Sequence, residues 1–153
     1  MTIKAKIIAD SVNPDGHRIT TVQCRYPRFI HSQVMTHRMF SRNAQSSRAC
    51  PVEKMIKEVI ENPAMPIHWG KNKRGMQADE ECKELVDAYM GLDYYGSQEM
   101  TNIEAWNSSM RVMVEYARAF HEAGYHKQIV NRLLEPFMHI SVIITAPDRD
   151  WET

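Results

Sequence analysis

A strongly apolar run near the C-terminus constrains the fold of this chain more than any other feature. Residues 139–145 (His-Ile-Ser-Val-Ile-Ile-Thr) are dominated by β-branched side chains, which favour strands. A nearly continuous apolar run of this length is typical of a strand buried inside a sheet. We therefore expect a central strand here, with the rest of its sheet supplied by other parts of the chain.

Two further strand patterns lie at the N-terminus. Residues 2–9 alternate between apolar and polar side chains, and residues 18–26 are rich in β-branched residues. Residues 13–16 (Asn-Pro-Asp-Gly) lie between them and are typical of a turn. We expect the two strands to form a hairpin.

Helical spacing predicts helices through the middle of the chain. The clearest pattern runs from Ile103 to Phe120, where apolar residues recur three and four apart, and Gly124 is a suitable C-terminal cap. Other helices are expected after Pro27, after Pro51, and over residues 79–92 and 126–134. In the helix over residues 79–92, the inward positions would be Cys82, Leu85, Tyr89 and Leu92, and residues 93–98 would break it.

The resulting order, β-β-α-α-α-α-α-β, predicts the α+β class, with helices covering a small mixed or antiparallel sheet. A chain of 153 residues normally makes one domain, so we expect a single domain over residues 1–153. Residues 63–78 have no period, and long connections of this kind are often functional.

The charges of the chain are unevenly distributed. Residues 16–52 hold six arginines, no lysine and no Asp or Glu, whereas residues 53–153 hold 11 basic and 17 acidic residues. Arginine without lysine favours planar, bidentate recognition of phosphate or carboxylate. This acid-free segment therefore predicts a pocket for an anionic small molecule, and the acidic remainder argues against a long polyanion such as nucleic acid.

Five residues within the acid-free segment have a distinctive spacing: His37, Arg38, Asn43, Ser46 and Arg48. Their arrangement resembles the signature of the flavin-dependent thymidylate synthases, which is Arg-His-Arg, seven residues, a Ser, and an Arg two further on. We expect the start of this motif at the end of a short helix and the rest in a loop.

Other parts of the chain extend this resemblance over about residues 17–150. Gln33 agrees with the family, and residues 126–136 look like its Lys-Glu-x-x-Arg helix ending in Pro. Thr36 before His37 and the Gly-Met-Gln loop at residues 75–77 are similar to the phage-type branch.

The resemblance implies a reaction, the reductive methylation of dUMP to dTMP. Such enzymes use FAD, NADPH and methylenetetrahydrofolate and need no cysteine nucleophile. Their fold would be that of the flavin-dependent thymidylate synthases, and their sites are shared between the subunits of a homotetramer. A flavoprotein of this kind supplies orientation and electrostatics, while the cofactor supplies the redox chemistry.

The resemblance also assigns residues position by position. The FAD ligands would be Thr36, His37, Arg38 and Asn43. The dUMP ligands would be Gln33, Ala44, Gln45, Ser46, Ser47, Arg48 and Arg132.

Two departures from the family pattern stand out. Thr36 replaces the first Arg of the signature, although a hydroxyl can still donate one hydrogen bond. The arginine that the family uses to polarise uracil would lie beyond Thr153, and Asp148 and Asp150 do not match the flavin-contacting residues expected there. The catalytic residue is therefore unassigned, and a second polypeptide is one possible source of the C-terminal segment.

Several alternatives stay open at this stage. The chain could be a non-catalytic nucleotide-binding or subunit-interaction remnant of the same fold, or a small nucleic-acid-binding protein. Arg18, Arg25 and Arg28 could be bystanders on a solvated face, and Arg132 could neutralise a helix dipole.

Spacing and composition exclude further classes. The histidines and cysteines lack convincing metal-ligand spacing, so we expect no metal. No apolar run approaches the ~20 residues of a membrane span, and the N-terminus has no signal-peptide pattern. With three widely spaced cysteines, these features predict reduced thiols and a cytoplasmic protein, in the host cytoplasm if phage-encoded.

Overall fold

The fold was obtained as a computed structural model that describes residues 3–75, 79–88 and 96–147. The strands are β1 (Lys4–Val12), β2 (Arg18–Pro27), β3 (Ser41–Ala44), β4 (Val86–Ala88), β5 (Gln98–Met100) and β6 (His139–Pro147). The helices are α1 (His31–Val34), α2 (Val52–Glu61), α3 (Asn102–Glu122) and α4 (Lys127–Leu134). Three short 3-10 helices span Arg28–Ile30, Ser47–Ala49 and Glu135–Phe137.

The main sheet has four antiparallel strands in the order β1-β2-β6-β3. The predicted apolar strand is confirmed as β6, which lies between β2 and β3, and the predicted N-terminal hairpin is confirmed as β1 and β2. Gly16 closes the hairpin turn with φ of 85°, a backbone conformation that glycine adopts without steric cost. This sheet and its helices confirm the α+β class.

Two groups of buried side chains hold the molecule together. The larger group joins α2, α3 and α4 through residues such as Val59, Val114 and Leu134. The smaller group lies on one face of the sheet and consists of Tyr26 and alternate residues of β6 (Ile140, Val142 and Ile144). The partly buried side chains of Ile30, Val34 and Phe40 pack against it. Burying this apolar surface is the main favourable term in folding.

Helix α3 follows its predicted pattern closely. Thr101 and Glu104 form a reciprocal capping box at its start, and Gly124 follows its end with φ of 87°. Met110 and Ala117 of this pattern are buried, whereas Ile103, its first residue, is 49% exposed. The helix begins only at Asn102, so Ile103 lies in its first turn, outside the buried stripe.

The helix expected over residues 79–92 is a wrong prediction in its described part. The backbone of residues 80–82 pairs with residues 69–71 instead, through bonds such as Cys82 N–H to Trp69 O at 2.8 Å. Residues 86–88 then form β4, which pairs with β5. Leu85, a predicted inward position, is 54% exposed. Pairing with other segments thus overrides the local helical spacing. Tyr89, Leu92 and the predicted break over residues 93–95 lie outside the described residues.

The predicted loop after α1 contains a strand that was not expected. Residues 41–44 form β3 and pair with residues 142–145 of β6, which would otherwise present an open edge. Residues 63–75 are irregular apart from one isolated bridge, as predicted for this part of the connection. Residues 76–78 and the C-terminal tail with Asp148 and Asp150 lie outside the described residues.

No helix in the described part of the chain has the length and apolar character needed to cross a membrane.

Candidate functional site

The first part of the motif follows the end of α1 on the surface. Thr36 donates its hydroxyl hydrogen to the carbonyl oxygen of Gln33 at 2.7 Å. The ring of His37 lies 6.0 Å from the ring of Phe40, tilted by 33°. Thr36, His37 and Arg38 are exposed. The hydrogen that Thr36 was expected to offer to a ligand is thus used inside the protein, and the hydroxyl oxygen remains able to accept.

The second part of the motif leaves β3 and enters the 3-10 helix Ser47–Ala49. Gln45 N–H donates to Ser141 O of β6 at 2.9 Å, which continues the sheet pairing by one residue. Ser46 caps the 3-10 helix, because its hydroxyl oxygen accepts from Arg48 N–H at 3.3 Å. The Arg48 side chain is exposed. We call residues 46–50 the Arg48 turn.

Helix α4 supports the Arg48 turn through hydrogen bonds from one buried side chain. Asn131 donates both hydrogens of its side-chain amide to main-chain carbonyls, at 2.8 Å to Ser47 O and 3.0 Å to Cys50 O. Just after the helix, Glu135 accepts from the Ser47 hydroxyl at 2.8 Å. Ser47 is buried, so its hydroxyl is directed at Glu135 rather than at solvent.

A cavity of about 500 Å³ lies beside this support. Its lining residues are Arg28, Phe29, His31, Ser32, Arg132, Glu135 and Pro136. Arg132, a dUMP ligand predicted from the resemblance, therefore lines this cavity together with Arg28 and Glu135. Its volume falls in the range of small-molecule sites. We call it the arginine cavity.

The arginine cavity also shows what sequence reasoning missed. Arg28 was set aside as a possible bystander, and His31, Ser32 and Glu135 were not considered. The sequence feature that could have identified Arg28 as a candidate is its place in the acid-free segment. Of the predicted ligands only Arg132 is among the described lining residues; Gln33 follows Ser32 in α1, and Ser47 reaches the cavity wall through Glu135.

The six arginines of the acid-free segment, together with Arg132, divide into two sets by their partners. Arg18, Arg25 and Arg28 form ion pairs with Asp10, Glu58 and Glu135 respectively, the last at 3.3 Å. Arg42 donates to the carbonyl oxygen of Val34 at 3.0 Å. Within residues 3–75, 79–88 and 96–147, the guanidinium groups of Arg38, Arg48 and Arg132 have no acidic partner.

This division has an electrostatic consequence. A guanidinium that is paired with a carboxylate contributes little net field, whereas an unpaired one can form charge-assisted bonds with an anion. The unpaired set contains the two motif arginines at the surface and the arginine of the cavity wall. The paired set contains those set aside as bystanders, although Arg28 also lines the cavity.

His31 adds an uncharged group to the arginine cavity. Burial lowers its pKa below the usual value, and the nearby charges of Arg28 and Arg42 lower it further. Its Nδ1 lies 2.9 Å from the hydroxyl of Tyr26. The lowered pKa favours the neutral imidazole, which can form a hydrogen bond with a ligand without adding charge.

The described residues give less support to three other kinds of site. A larger cavity of about 570 Å³, walled by Trp69 and Trp106, has no Lys or Arg in its described lining. The described residues contain no group of three or more His, Cys, Asp or Glu side chains placed to hold a metal. The thiol of Cys50 accepts a hydrogen bond from the side-chain amide of Gln45 at 3.4 Å.

The fold is similar to two solved structures of a UMP/dUMP methylase, PolB, from Streptomyces cacaoi. One, bound with 5-Br UMP, superposes with a TM-score of 0.62 at 14% identity, covering 97% of this chain and 73% of that chain. The other, bound with 5-Br dUMP, gives 0.60 at 12% identity, covering 97% and 75%. Neither a family model nor a curated protein matches the chain. At these identities the likeness shows a shared fold.

Proposed function

We propose that this protein is an FAD-dependent thymidylate synthase that methylates dUMP to dTMP with methylenetetrahydrofolate and NADPH. The observation that carries the proposal is the division of the arginines, because the motif cations Arg38 and Arg48 and the cavity cation Arg132 lack acidic partners among the described residues. The similarity in fold to a UMP/dUMP methylase supports the same substrate class.

In this proposal dUMP is bound by residues of α1, the Arg48 turn and α4. Arg48 and Arg132 contact the phosphate, since a guanidinium can give a phosphate two parallel hydrogen bonds. Arg28, whose charge is paired with Glu135, lines the same cavity wall. The further ligands are Gln33, Ala44, Gln45, Ser46 and Ser47, the last mainly by supporting the turn.

The residues around Arg38 fit an FAD molecule in the chemistry of their groups. Arg38 is exposed and has no acidic partner in the described chain, which suits a diphosphate. His37 and Phe40 offer adjoining rings to a flat ring system. Asn43 lies exposed on β3, and Thr36 can accept a hydrogen bond. When bound, reduced flavin supplies the hydride for the methylation, and NADPH is the source of that hydride.

The protein's own contribution would be orientation and charge. The arginines bind the phosphate and the cavity wall orients the nucleoside. His31, whose pKa is lowered by burial and by the nearby arginines, can form a hydrogen bond with the ligand without adding charge. We assign no catalytic residue among the described positions.

We also infer that the sites are shared within a homotetramer. The outer strand β1 is exposed throughout, with Ile7 59% and Val12 60% exposed. Exposed apolar side chains on an outer strand suit a subunit interface.

Two measurements test the proposal. The purified protein, reconstituted with FAD, should hold the flavin through gel filtration, as followed by its visible absorbance. With both co-substrates it should release tritium from dUMP labelled at C5, because methylation removes that hydrogen. FAD and dUMP binding without tritium release would favour a non-catalytic nucleotide-binding remnant, and failure to bind either would overturn the proposal.

A further inference from the structure

We propose that Asn131 is a positioning residue for nucleotide binding, because it holds the Arg48 turn in the shape that a phosphate needs. The inference rests on the proposed function and extends it to a residue that does not touch the ligand. It also connects α4 to both phosphate-binding arginines, since Arg132 follows Asn131 directly in the helix.

The Arg48 turn is weak on its own. It contains a 3-10 helix of only three residues, a type of helix whose hydrogen-bond geometry is poor. Its internal bonds are long, at 3.2 Å from Ala49 N–H to Ser46 O and 3.3 Å from Arg48 N–H to the Ser46 hydroxyl. The position of the exposed Arg48 guanidinium therefore depends on support from outside the turn.

Asn131 gives that support with both hydrogens of its side-chain amide. Its amide has two hydrogens, and both are donated to carbonyls on either side of Arg48, those of Ser47 and Cys50. Because carbonyl oxygens only accept, these partners also fix which end of the amide faces the turn. The two bonds join positions 81 and 84 residues away in the sequence.

The burial of Asn131 makes its two bonds to the Arg48 turn energetically important. The residue is 0% exposed, and its Oδ1 has no partner among the described residues. An amide with an unsatisfied buried oxygen is a costly way to fill space in a core. Its two donor bonds to the Arg48 turn are the interactions that offset this cost.

Glu135 strengthens the same link one turn later. Its carboxylate accepts from the Ser47 hydroxyl and also pairs with Arg28 of the arginine cavity. The turn and the cavity wall are thus tied to the same helix end. Movement of the turn would change the distance from Arg48 to the cavity, and small errors in placement weaken ligand binding strongly.

The test compares Asn131→Ala with Gln128→Ala, a control at an exposed position of the same helix. We expect Asn131→Ala to weaken dUMP binding about tenfold while the affinity for FAD changes less than about twofold, because the flavin residues lie elsewhere. Gln128→Ala should change neither affinity. Equal dUMP affinity in the two variants would overturn the proposal.

A double variant separates positioning from a general effect on folding. If Asn131 acts through Arg48, then Asn131→Ala combined with Arg48→Ala should bind dUMP no more weakly than Arg48→Ala alone. Additive losses would show that Asn131 acts by another route and would overturn the proposal. Should Asn131→Ala not fold, Asn131→Ser, which keeps one donor, takes its place with a smaller expected loss.

Hydrogen exchange distinguishes this inference from the proposed function. Asn131→Ala, but not Gln128→Ala, should speed exchange of the Arg48 and Ala49 amides, even if the protein binds no dUMP at all. Absence of dUMP binding in the wild type would refute the proposed function. Unchanged exchange in Asn131→Ala would refute the support of the turn.

Discussion

The two sets of arginines share a charge and differ in what surrounds them. Arg25, half-buried between the sheet and α2, is neutralised by Glu58 and serves the structure. Arg48, in a three-residue 3-10 helix, has no acidic partner in the described chain. The buried amide of Asn131 holds the backbone of the Arg48 turn. The comparison teaches that the function of a cation is read better from its partners than from its position in an arginine-rich segment.

Substituting Arg48 should have the largest effect on dUMP affinity. Arg48→Ala removes a charge-assisted contact to phosphate, so dUMP affinity should fall about 30-fold, which corresponds to about 2 kcal/mol. The melting temperature should hardly change, because the guanidinium has no acidic partner among the described residues to lose. Calorimetric titration and thermal unfolding check the two halves. A large loss of stability with unchanged affinity would place Arg48 with the structural set.

Substituting Arg38 should affect the other ligand. Arg38→Ala is expected to weaken FAD binding about tenfold through loss of a contact to its diphosphate. The affinity should be measured by fluorescence quenching of the flavin, with Arg18→Ala as the control, since Arg18 is occupied by Asp10. Equal FAD affinity in the two variants would remove Arg38 from the site.

Substituting Arg25 should give the opposite pattern. Arg25→Ala leaves Glu58 half-buried without its partner, so the free energy of unfolding should drop by about 1 kcal/mol. The dUMP affinity should match that of the wild type. Urea unfolding and titration provide the measurements, and a dUMP affinity that fell as far as in Arg48→Ala would erase the division.

His139 should show the smallest effect, as a pH dependence of stability. Its pKa is lowered by burial and by the charge of Arg25. The unfolded chain therefore takes up a proton first as the pH falls, and the stability from neutral His139 is present above about pH 6.5 and lost below it. The loss between pH 7 and pH 5 should be shallower in His139→Gln. Parallel curves for the two proteins would contradict the assignment.

The parts of the fold that the sequence predicts correctly are those where local pattern and tertiary environment agree. Strand β6 is apolar and lies at the centre of the sheet, and α3 has a capping box, a buried stripe and a terminal glycine. Strand β3 has four residues and no alternation between apolar and polar side chains. Its structure comes from pairing with β6, which is distant in the sequence, so the residues near β3 do not predict it. The segment from residue 79 has helical spacing but pairs with residues 69–71.

The candidate site shows the same limit. Spacing within the motif drew attention to Arg38, Ser46 and Arg48, whose assignments to ligands stay predictions. Glu135 is 88 residues from Ser47, and its role follows only once the chain is folded. Arg28 could have been kept as a candidate from its place in the acid-free segment, but its ion pair with Glu135 is a tertiary fact.

The central claim is that the unpaired arginines bind the phosphate of a uridine nucleotide. Its most direct test is to titrate the FAD-loaded wild-type protein with dUMP and with deoxyuridine, which lacks the phosphate, at low and high salt. We predict that dUMP binds at least about tenfold more tightly and that the difference shrinks as salt screens the charges. Equal affinity for the two compounds, or a difference that salt does not change, would contradict it.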